Sequence, residues 1–374
     1  MYIYVVLNII VLLFMFISNY RKIKNPEFMY YPLFVLFFLV AGFRDSSVGA
    51  DTSVYVNVYE SIGLYDIPKF SEFFSSRFEV GFIVFNKILY TISTSYIFML
   101  ASYAFVTLFL YFYVIKKQSK DIFLSIFLFF AFMVYIYSLS NIRQSLAIAL
   151  IMLSYHFFTK GRNWRAILSI LLATCFHTSA LIFLLVFFVR RIYLKRWMII
   201  LISLACIPLY FMINSIMVYV VGYSEKYQGY LETEWFTAGN KLGLILKFVI
   251  VILIFLLGEI ILKNTKLSLK ENFLRNIVFI GVVFSFFNMN TALIGRFTMY
   301  FTTFILLYIP FIISKIKKDS YRIVVTMFIL VFFMLYLYSI LIFRPDWNSV
   351  VPYKNVGYNY IVEFLDSIRI PWLM

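Results

Sequence analysis

Long apolar runs alternate with short polar connections along almost the whole chain. A helix of about 20 apolar residues can cross the roughly 30 Å hydrocarbon core of a bilayer. The pattern therefore predicts an all-α polytopic membrane protein, a helical bundle of about 10–12 transmembrane segments, some of them short or broken. The runs are residues 1–18, 28–43, 82–92, 95–115, 122–137, 142–158, 166–189, 197–221, 242–262, 273–287, 294–313 and 323–343.

Three longer polar stretches interrupt this pattern, at residues 44–78, 222–240 and 344–374. If the basic group at residues 21–24 faces the cytoplasm, the first stretch lies outside. We expect the first two stretches to form small external loops and the third to form an external tail. There is no internal repeat and no polar segment long enough for a soluble domain, so residues 1–374 are predicted to form a single integral membrane domain.

Composition supports the membrane class. Hydrophobic residues make up 63% of the chain and charged residues 13%, and the mean hydropathy is +0.92, which leaves too little polar surface for a soluble protein of this size. The formal charge is +16, but most Lys and Arg lie in short loops. There they act as cytoplasmic topology signals rather than as a nucleic-acid surface. Both cysteines fall inside apolar runs, so no disulfide framework is expected.

The basic loops leave two topologies open. If all twelve runs cross the membrane, six positive charges in residues 116–120 and 160–165 lie on the outside, against the positive-inside rule. If residues 82–92 only dip into the interface and residues 166–189 break near His177, with both ends cytoplasmic, all six charges move inside. The second arrangement is favoured. It places His177 at the floor of a pocket that opens to the outside, because irregular backbone at membrane depth needs surrounding protein or water.

The candidate chemistry lies in the polar residues of the apolar segments. Arg143 and Gln144 begin one apolar helix, and His177 lies in the middle of the next run. A central arginine costs about 2.5–3.5 kcal/mol on insertion scales, so such residues face a bundle interior or an aqueous cavity. Arginines gathered at a membrane surface suit an anionic partner, and the guanidinium fork fits phosphate oxygens. A lipid pyrophosphate would carry that charge at this depth.

Five short motifs follow one another along the chain. They are FRDSSVGADTSVY at residues 43–55, NIRQSLAIAL at 141–150, CFHTSALIF at 175–183, GRF at 295–297 and WNSVVPYK at 347–354. Each motif is short, but their order and spacing cover nearly the whole chain. This ordered set resembles the EpsG-like branch of the Wzy-type polysaccharide polymerases, which assemble O-antigen, capsule or exopolysaccharide.

The resemblance implies a membrane-embedded glycosyltransferase of the GT-C type that uses no metal and no cofactor. It would lie in the bacterial inner membrane and join oligosaccharide repeat units, carried on undecaprenyl pyrophosphate, at the periplasmic face. A separate chain-length regulator is an expected partner. By the matching positions, the functional residues would be Arg44, Asp51, Tyr55, Arg143, Gln144, His177 and Arg296.

Transfer from a pyrophosphate leaving group needs a base for the acceptor hydroxyl and cationic groups for the departing phosphate. We hypothesise that His177 is the base or orients the acceptor, with Asp51 as the alternative base. Arg143 and Arg296 would clamp the pyrophosphate, and Arg44, Tyr55 and Gln144 would complete the substrate site.

Simpler interpretations remain open for individual residues. Asp51 can be a helix N-cap, and the arginines can reach the interface from helix ends. Glu79 is expected to place its short run at the interface, His156 to be interfacial, and Glu259 to extend to the membrane surface. Metalloprotease, P-loop and Rossmann motifs are absent from the sequence, and the total of two histidines argues against a zinc cluster.

The alternative functions are a flippase for the same lipid-linked unit, an O-antigen ligase and a membrane acyltransferase. A transporter would favour repeated halves and charges along a path through the membrane, whereas the charges found here gather at one side. A ligase would share the arginine and histidine chemistry and differ in its acceptor.

Overall fold

The structure is a computed structural model that describes residues 1–20, 27–69, 76–222 and 241–357. These residues form α-helices joined by turns, short 3-10 helices and one isolated β-bridge. The helices are α1 (Tyr2–Tyr20), α2 (Glu27–Gly42), α3 (Thr52–Glu60), α4 (Val80–Ile92), α5 (Tyr96–Gln118), α6 (Ile122–Ala131), α7 (Val134–Ser140), α8 (Ile142–Thr159), α9 (Asn163–Phe176), α10 (Leu185–Val189), α11 (Arg196–Gly222), α12 (Lys241–Ile261), α13 (Leu269–Asn288), α14 (Gly295–Thr302), α15 (Ile305–Ser314) and α16 (Asp319–Phe343).

Four helices, α5, α11, α12 and α16, are long and apolar enough to cross a membrane individually. Two bent pairs, α6 with α7 and α14 with α15, bring the count within the described residues to six if each pair is one span. The described residues also include shorter apolar helices, such as α1 and α2. The chain is an all-α polytopic membrane protein, as its apolar runs predict. The count of about 10–12 segments stays a prediction.

Three apolar runs are broken rather than continuous. The run at 122–137 bends by 50° between α6 and α7, where Met133 takes a left-handed conformation with φ 68°. The run at 294–313 bends by 44° between α14 and α15. In the run at 166–189, α9 ends at Phe176, His177 is extended, and a 3-10 helix (Thr178–Leu184) follows. The sequence predicted only this last break.

The two ends of the segment broken at His177 lie at the same end of the bundle. Arg190 follows α10 and donates a hydrogen bond to the side-chain oxygen of Asn163, the first residue of α9. The guanidinium of Arg190 also lies 5.2 Å from the ring of Phe158, near the end of α8. The chain therefore turns back at His177, in the geometry that the favoured topology requires.

The end of the bundle that holds Asn163 and Arg190 is strongly basic, and we call it the basic end. It collects the charges of Lys117, Lys160 and Arg162, all of which act on His156, near the end of α8. His156 is 5% exposed and its Nδ1 is hydrogen-bonded to the amide nitrogen of Gln118. It is a buried, hydrogen-bonded residue beside the basic loops, and its position at the membrane interface stays a prediction.

The opposite end of the bundle, which we call the site end, is organised by a strap, residues 344–357. The strap folds back over the loop at residues 43–50, and Arg44 and Asn355 form an isolated antiparallel bridge. Amides of this loop donate to strap carbonyls at Asn348, Ser349 and Lys354 over 2.8–3.0 Å. The residues predicted to form an external tail therefore pack against the predicted external loop. The predicted loop at 222–240 and the tail beyond residue 357 lie almost wholly outside the described residues.

Candidate active site

Arg143 lies in the first turn of α8, between a carboxylate and three aromatic rings. Its guanidinium donates to the carboxylate of Glu79, the residue before α4. The guanidinium carbon is 5.4 Å from the ring centre of Tyr55, 5.1 Å from that of Phe78 and 5.4 Å from that of Phe82. A cation over an aromatic face gains roughly 0.5–2 kcal/mol. Arg143 is therefore held in one orientation, although 18% of its side chain stays exposed.

Asp51 is the N-cap residue of α3, but its side chain accepts no hydrogen bond from that helix. Its carboxylate lies instead in the field of Arg143 and Arg296, whose charges both act on it. Burial raises the pKa of Asp51 above the usual value, and the two guanidinium charges oppose that rise. The geometry therefore does not support the interpretation that the side chain of Asp51 caps α3.

Gln144 connects three of the helices that meet at the site. Its side-chain oxygen accepts a hydrogen bond of 2.6 Å from the hydroxyl of Tyr137, in α7. Its side-chain nitrogen donates over 2.8 Å to the backbone oxygen of Arg296, in the first turn of α14. Gln144 is 3% exposed. Its position fixes the backbone that carries Arg296 relative to the helix that carries Arg143.

His177 lies at the apex of the broken segment and is half-buried. Its Nδ1 is 2.6 Å from the hydroxyl of Ser179 and 3.3 Å from the hydroxyl of Tyr300. Tyr300 is fully buried and lies one helical turn after Arg296 in α14, where the charge of Arg296 acts on it. Tyr300 therefore links the imidazole to the helix that carries the second arginine.

Arg44 lies apart from this cluster in its contacts. Its side chain is 1% exposed and donates to the backbone oxygens of Ala41, Val48 and Leu139. In this conformation the guanidinium holds the end of α2, the following loop and the end of α7 together. The geometry gives Arg44 a structural role, and a direct contact with substrate stays a prediction.

The structure thus brings most of the predicted residues to one place. Asp51, Tyr55, Arg143 and Arg296 interact by contact or by charge, and Gln144 and His177 join them through hydrogen bonds. Tyr55 is 4% exposed and contacts Arg143 rather than presenting its ring to the surface.

Sequence reasoning missed two members of the site, Glu79 and Tyr300. Glu79 was expected at the interface, but it is 3% exposed and paired with Arg143. Its sequence signal is a carboxylate directly before an apolar run, a group that needs a counter-charge once it is buried. Tyr300 carries no such signal, because it is one of 30 tyrosines.

This arrangement suits a substrate that carries both an anionic group and hydroxyls. Two guanidiniums provide charge for phosphate oxygens. Asp51 and His177 provide groups that accept or donate a proton. In the part of the chain that the structure describes, no group of three or more His, Cys, Asp and Glu side chains is placed to hold a metal ion.

Comparison with known proteins agrees with the motifs at this site. No curated protein and no solved structure matches the chain. A family model described as the EpsG family matches residues 27–355, which include every residue of the cluster described above. That family is one of membrane proteins of the polysaccharide-polymerase type. The match covers most of the 374 residues, and the chain belongs to the EpsG family.

Proposed function

We propose that this protein polymerises oligosaccharide repeat units that are carried on undecaprenyl pyrophosphate, and that it does so at the outer face of the bacterial inner membrane. The observation that carries the proposal is the cluster around Arg143 and Arg296. Two arginines, Asp51 and a tyrosine-linked His177, which come from separate parts of the chain, converge at one end of a membrane bundle. A soluble sugar substrate would not need two guanidiniums beside apolar helices, whereas a lipid diphosphate does.

In the proposed reaction, a hydroxyl of the acceptor repeat unit attacks the anomeric carbon of the growing chain. The bond from that carbon to the diphosphate oxygen breaks, and the new glycosidic bond forms with inversion. The hydroxyl proton passes to His177 or Asp51. Arg143 and Arg296 stabilise the charge that develops on the departing lipid diphosphate. Each step uses groups of this chain and needs no metal.

The distribution of charge supports an outward-facing site. The basic end carries Lys117, Lys160 and Arg162, and loops rich in Lys and Arg are retained in the cytoplasm. Arg143 and His156 lie near opposite ends of α8, thirteen residues apart, or about 20 Å at 1.5 Å per residue. With the basic end in the cytoplasm, the site end faces the periplasm, where lipid-linked repeat units await polymerisation.

Complementation of a chromosomal deletion tests the proposal. The wild-type gene should restore long polymer, whereas Arg143→Lys and Arg296→Lys should yield short chains or single units, because lysine lacks the bidentate fork. Arg322→Lys is the matched control, since Arg322 is 47% exposed at the start of α16. Normal polymer length from both site variants would refute the phosphate-clamp assignment.

The product left by the deletion separates this function from its alternatives. Loss of a polymerase leaves single repeat units attached to the final carrier. Loss of a ligase leaves polymer on undecaprenyl lipid, and loss of a flippase leaves neither outside. Either of the last two outcomes would reject the polymerase proposal.

A further inference from the structure

Two glutamate–arginine pairs in the described residues differ in their geometry. At the basic end, Arg275 and Glu259 form a two-point pair, with Nε to Oε1 at 2.5 Å and Nη2 to Oε2 at 2.7 Å. The remaining nitrogen, Nη1, donates to the backbone oxygen of Leu194 over 2.9 Å. Each guanidinium nitrogen of Arg275 therefore has an acceptor, as expected of a pair that is part of the fold.

The pair at the site is less complete. Arg143 donates to Glu79 through Nη1 alone, and its buried Nε has no hydrogen-bond partner. A buried donor without an acceptor is destabilising, and a guanidinium can make two parallel bonds to a carboxylate. Glu79 thus neutralises Arg143 but leaves its Nε without an acceptor.

Among the residues that the structure describes at the site, the charges balance without substrate. Arg143 and Arg296 carry two positive charges, and Glu79 and Asp51 carry two negative ones in their ionised forms. A lipid diphosphate brings at least two further negative charges. Such a ligand gains little affinity from Arg143 while Glu79 still neutralises it.

We propose that Glu79 is an exchangeable counter-ion, whose carboxylate neutralises Arg143 in the empty site and is displaced when the diphosphate of the lipid-linked substrate binds. The inference rests on the proposed function and makes Glu79 a positioning residue of that site. In the exchange, diphosphate oxygens take over Arg143 and give the unpartnered Nε an acceptor. When the lipid diphosphate leaves after transfer, Glu79 returns and helps to expel it.

The surroundings allow the carboxylate to move while the arginine stays. The rings of Tyr55, Phe78 and Phe82 hold the guanidinium at 5.1–5.4 Å independently of Glu79. Glu79 is the N-cap residue of α4, yet its side chain does not cap that helix. The first amides of a helix have no partner within the helix, so those of α4 offer the displaced carboxylate an alternative site, where the helix dipole favours negative charge.

Binding of undecaprenyl diphosphate to the full-length protein in lipid nanodiscs tests the exchange. Glu79→Gln keeps the shape of the side chain but removes the competing charge. We expect it to bind the lipid diphosphate about tenfold more tightly than the wild type, equivalent to about 1.4 kcal/mol. In turnover, it should lower both KM and kcat, because the product lipid diphosphate leaves more slowly. Glu259→Gln is the matched control and should leave the affinity unchanged.

A double-mutant cycle locates the effect. If Glu79 acts through Arg143, Glu79→Gln should not tighten binding of the lipid diphosphate in the Arg143→Gln background. If Glu79→Gln tightened binding of the lipid diphosphate equally in the Arg143→Gln background, Glu79 would act by repelling the ligand directly, and the exchange proposal would be wrong. Unchanged or weaker binding by Glu79→Gln, with saturable wild-type binding, would make Glu79 a fixed anchor and reject this inference alone.

Two further outcomes also decide the question. If both Glu79→Gln and Glu79→Asp fail to give monodisperse protein, the pair is required for folding and the proposal is wrong. If the wild type binds undecaprenyl diphosphate no better than undecaprenol, the proposed function fails and this inference fails with it.

Discussion

Replacing Arg44 with methionine should destabilise the protein without removing a substrate contact. The side chain is 1% exposed, and its guanidinium donates to three backbone oxygens, of Ala41, Val48 and Leu139. Methionine fills similar space but donates no hydrogen bond. The loop that precedes Asp51 would lose the contacts through which Arg44 ties it to α2 and α7.

The size of the destabilisation depends on which carbonyl oxygens keep a hydrogen-bond donor. The hydroxyl of Thr52 lies 2.8 Å from the oxygen of Val48 and 3.1 Å from that of Leu139, but its single proton can satisfy only one of these two acceptors. The oxygen of Ala41 would lose the donor that Arg44 supplies. Two carbonyl oxygens are therefore left without a donor, at about 1–3 kcal/mol each, and removing a buried charge returns part of that loss, so we expect a destabilisation of about 2–4 kcal/mol in total.

Thermal unfolding in detergent and binding of undecaprenyl diphosphate provide the two measurements. Arg44→Met should lower the unfolding midpoint, while the protein that remains folded should bind the lipid diphosphate with unchanged affinity. Arg143→Met should lose affinity. Arg322→Met, at an arginine that is 47% exposed, is the control for removing a positive charge and should change neither quantity.

The reasoning would be refuted by the opposite pattern. If Arg44→Met kept the wild-type unfolding midpoint but lost affinity for undecaprenyl diphosphate, Arg44 would contact the substrate. That is the role the family resemblance implies for it.

Three further predictions concern the site and the basic end. Tyr300→Phe should reduce turnover and alter the pH profile of turnover, because it removes a hydroxyl that lies 3.3 Å from Nδ1 of His177. An unchanged pH profile would mean that Tyr300 does not influence the imidazole. If activity needs ionised Asp51, it should fall on acidification at a higher pH than an ordinary carboxyl group would give, because burial raises the pKa of Asp51. The residual activity of Asp51→Asn should lack this acidic limb of the pH profile. A wild-type limb at the pH of an ordinary carboxyl group would contradict the assignment. Glu259→Gln should lower the unfolding free energy by about 2 kcal/mol. The loss is smaller than for a fully buried pair, because Glu259 is 16% exposed. An unchanged midpoint in thermal unfolding would mean that the pair with Arg275 contributes nothing to stability.

The helices could be predicted from hydropathy because apolar runs and helix bounds share one cause, the exclusion of polar groups from lipid. The run at 95–115 corresponds to Tyr96–Gln118, and that at 323–343 to Asp319–Phe343. The bend after α6 was not predicted, because apolar residues continue through Met133 and hydropathy carries no information on φ. The break at His177 was predicted because a polar residue marks it.

The site was predicted as far as charge made it visible. Arg143 and His177 stand out against apolar neighbours, and the family motifs add Asp51. The partner of Arg143 could not be found in this way, because Glu79 lies 64 positions away in the chain and meets it only through tertiary packing. Burial of Arg44 was likewise invisible, since an arginine beside a polar loop has the same sequence signal whether it faces substrate or backbone.

The strap at residues 344–357 has a consequence for biogenesis. The hydroxyl of Tyr4 donates to the backbone oxygen of Val350, a contact that spans 346 positions. At roughly 5–20 residues per second, the ribosome completes that partner on the order of 20–70 s after the first helix emerges. The early helices must therefore wait in the bilayer without the strap, and the loop that precedes Asp51 gains its hydrogen bonds to Asn348 and Ser349 only after that segment has been synthesised.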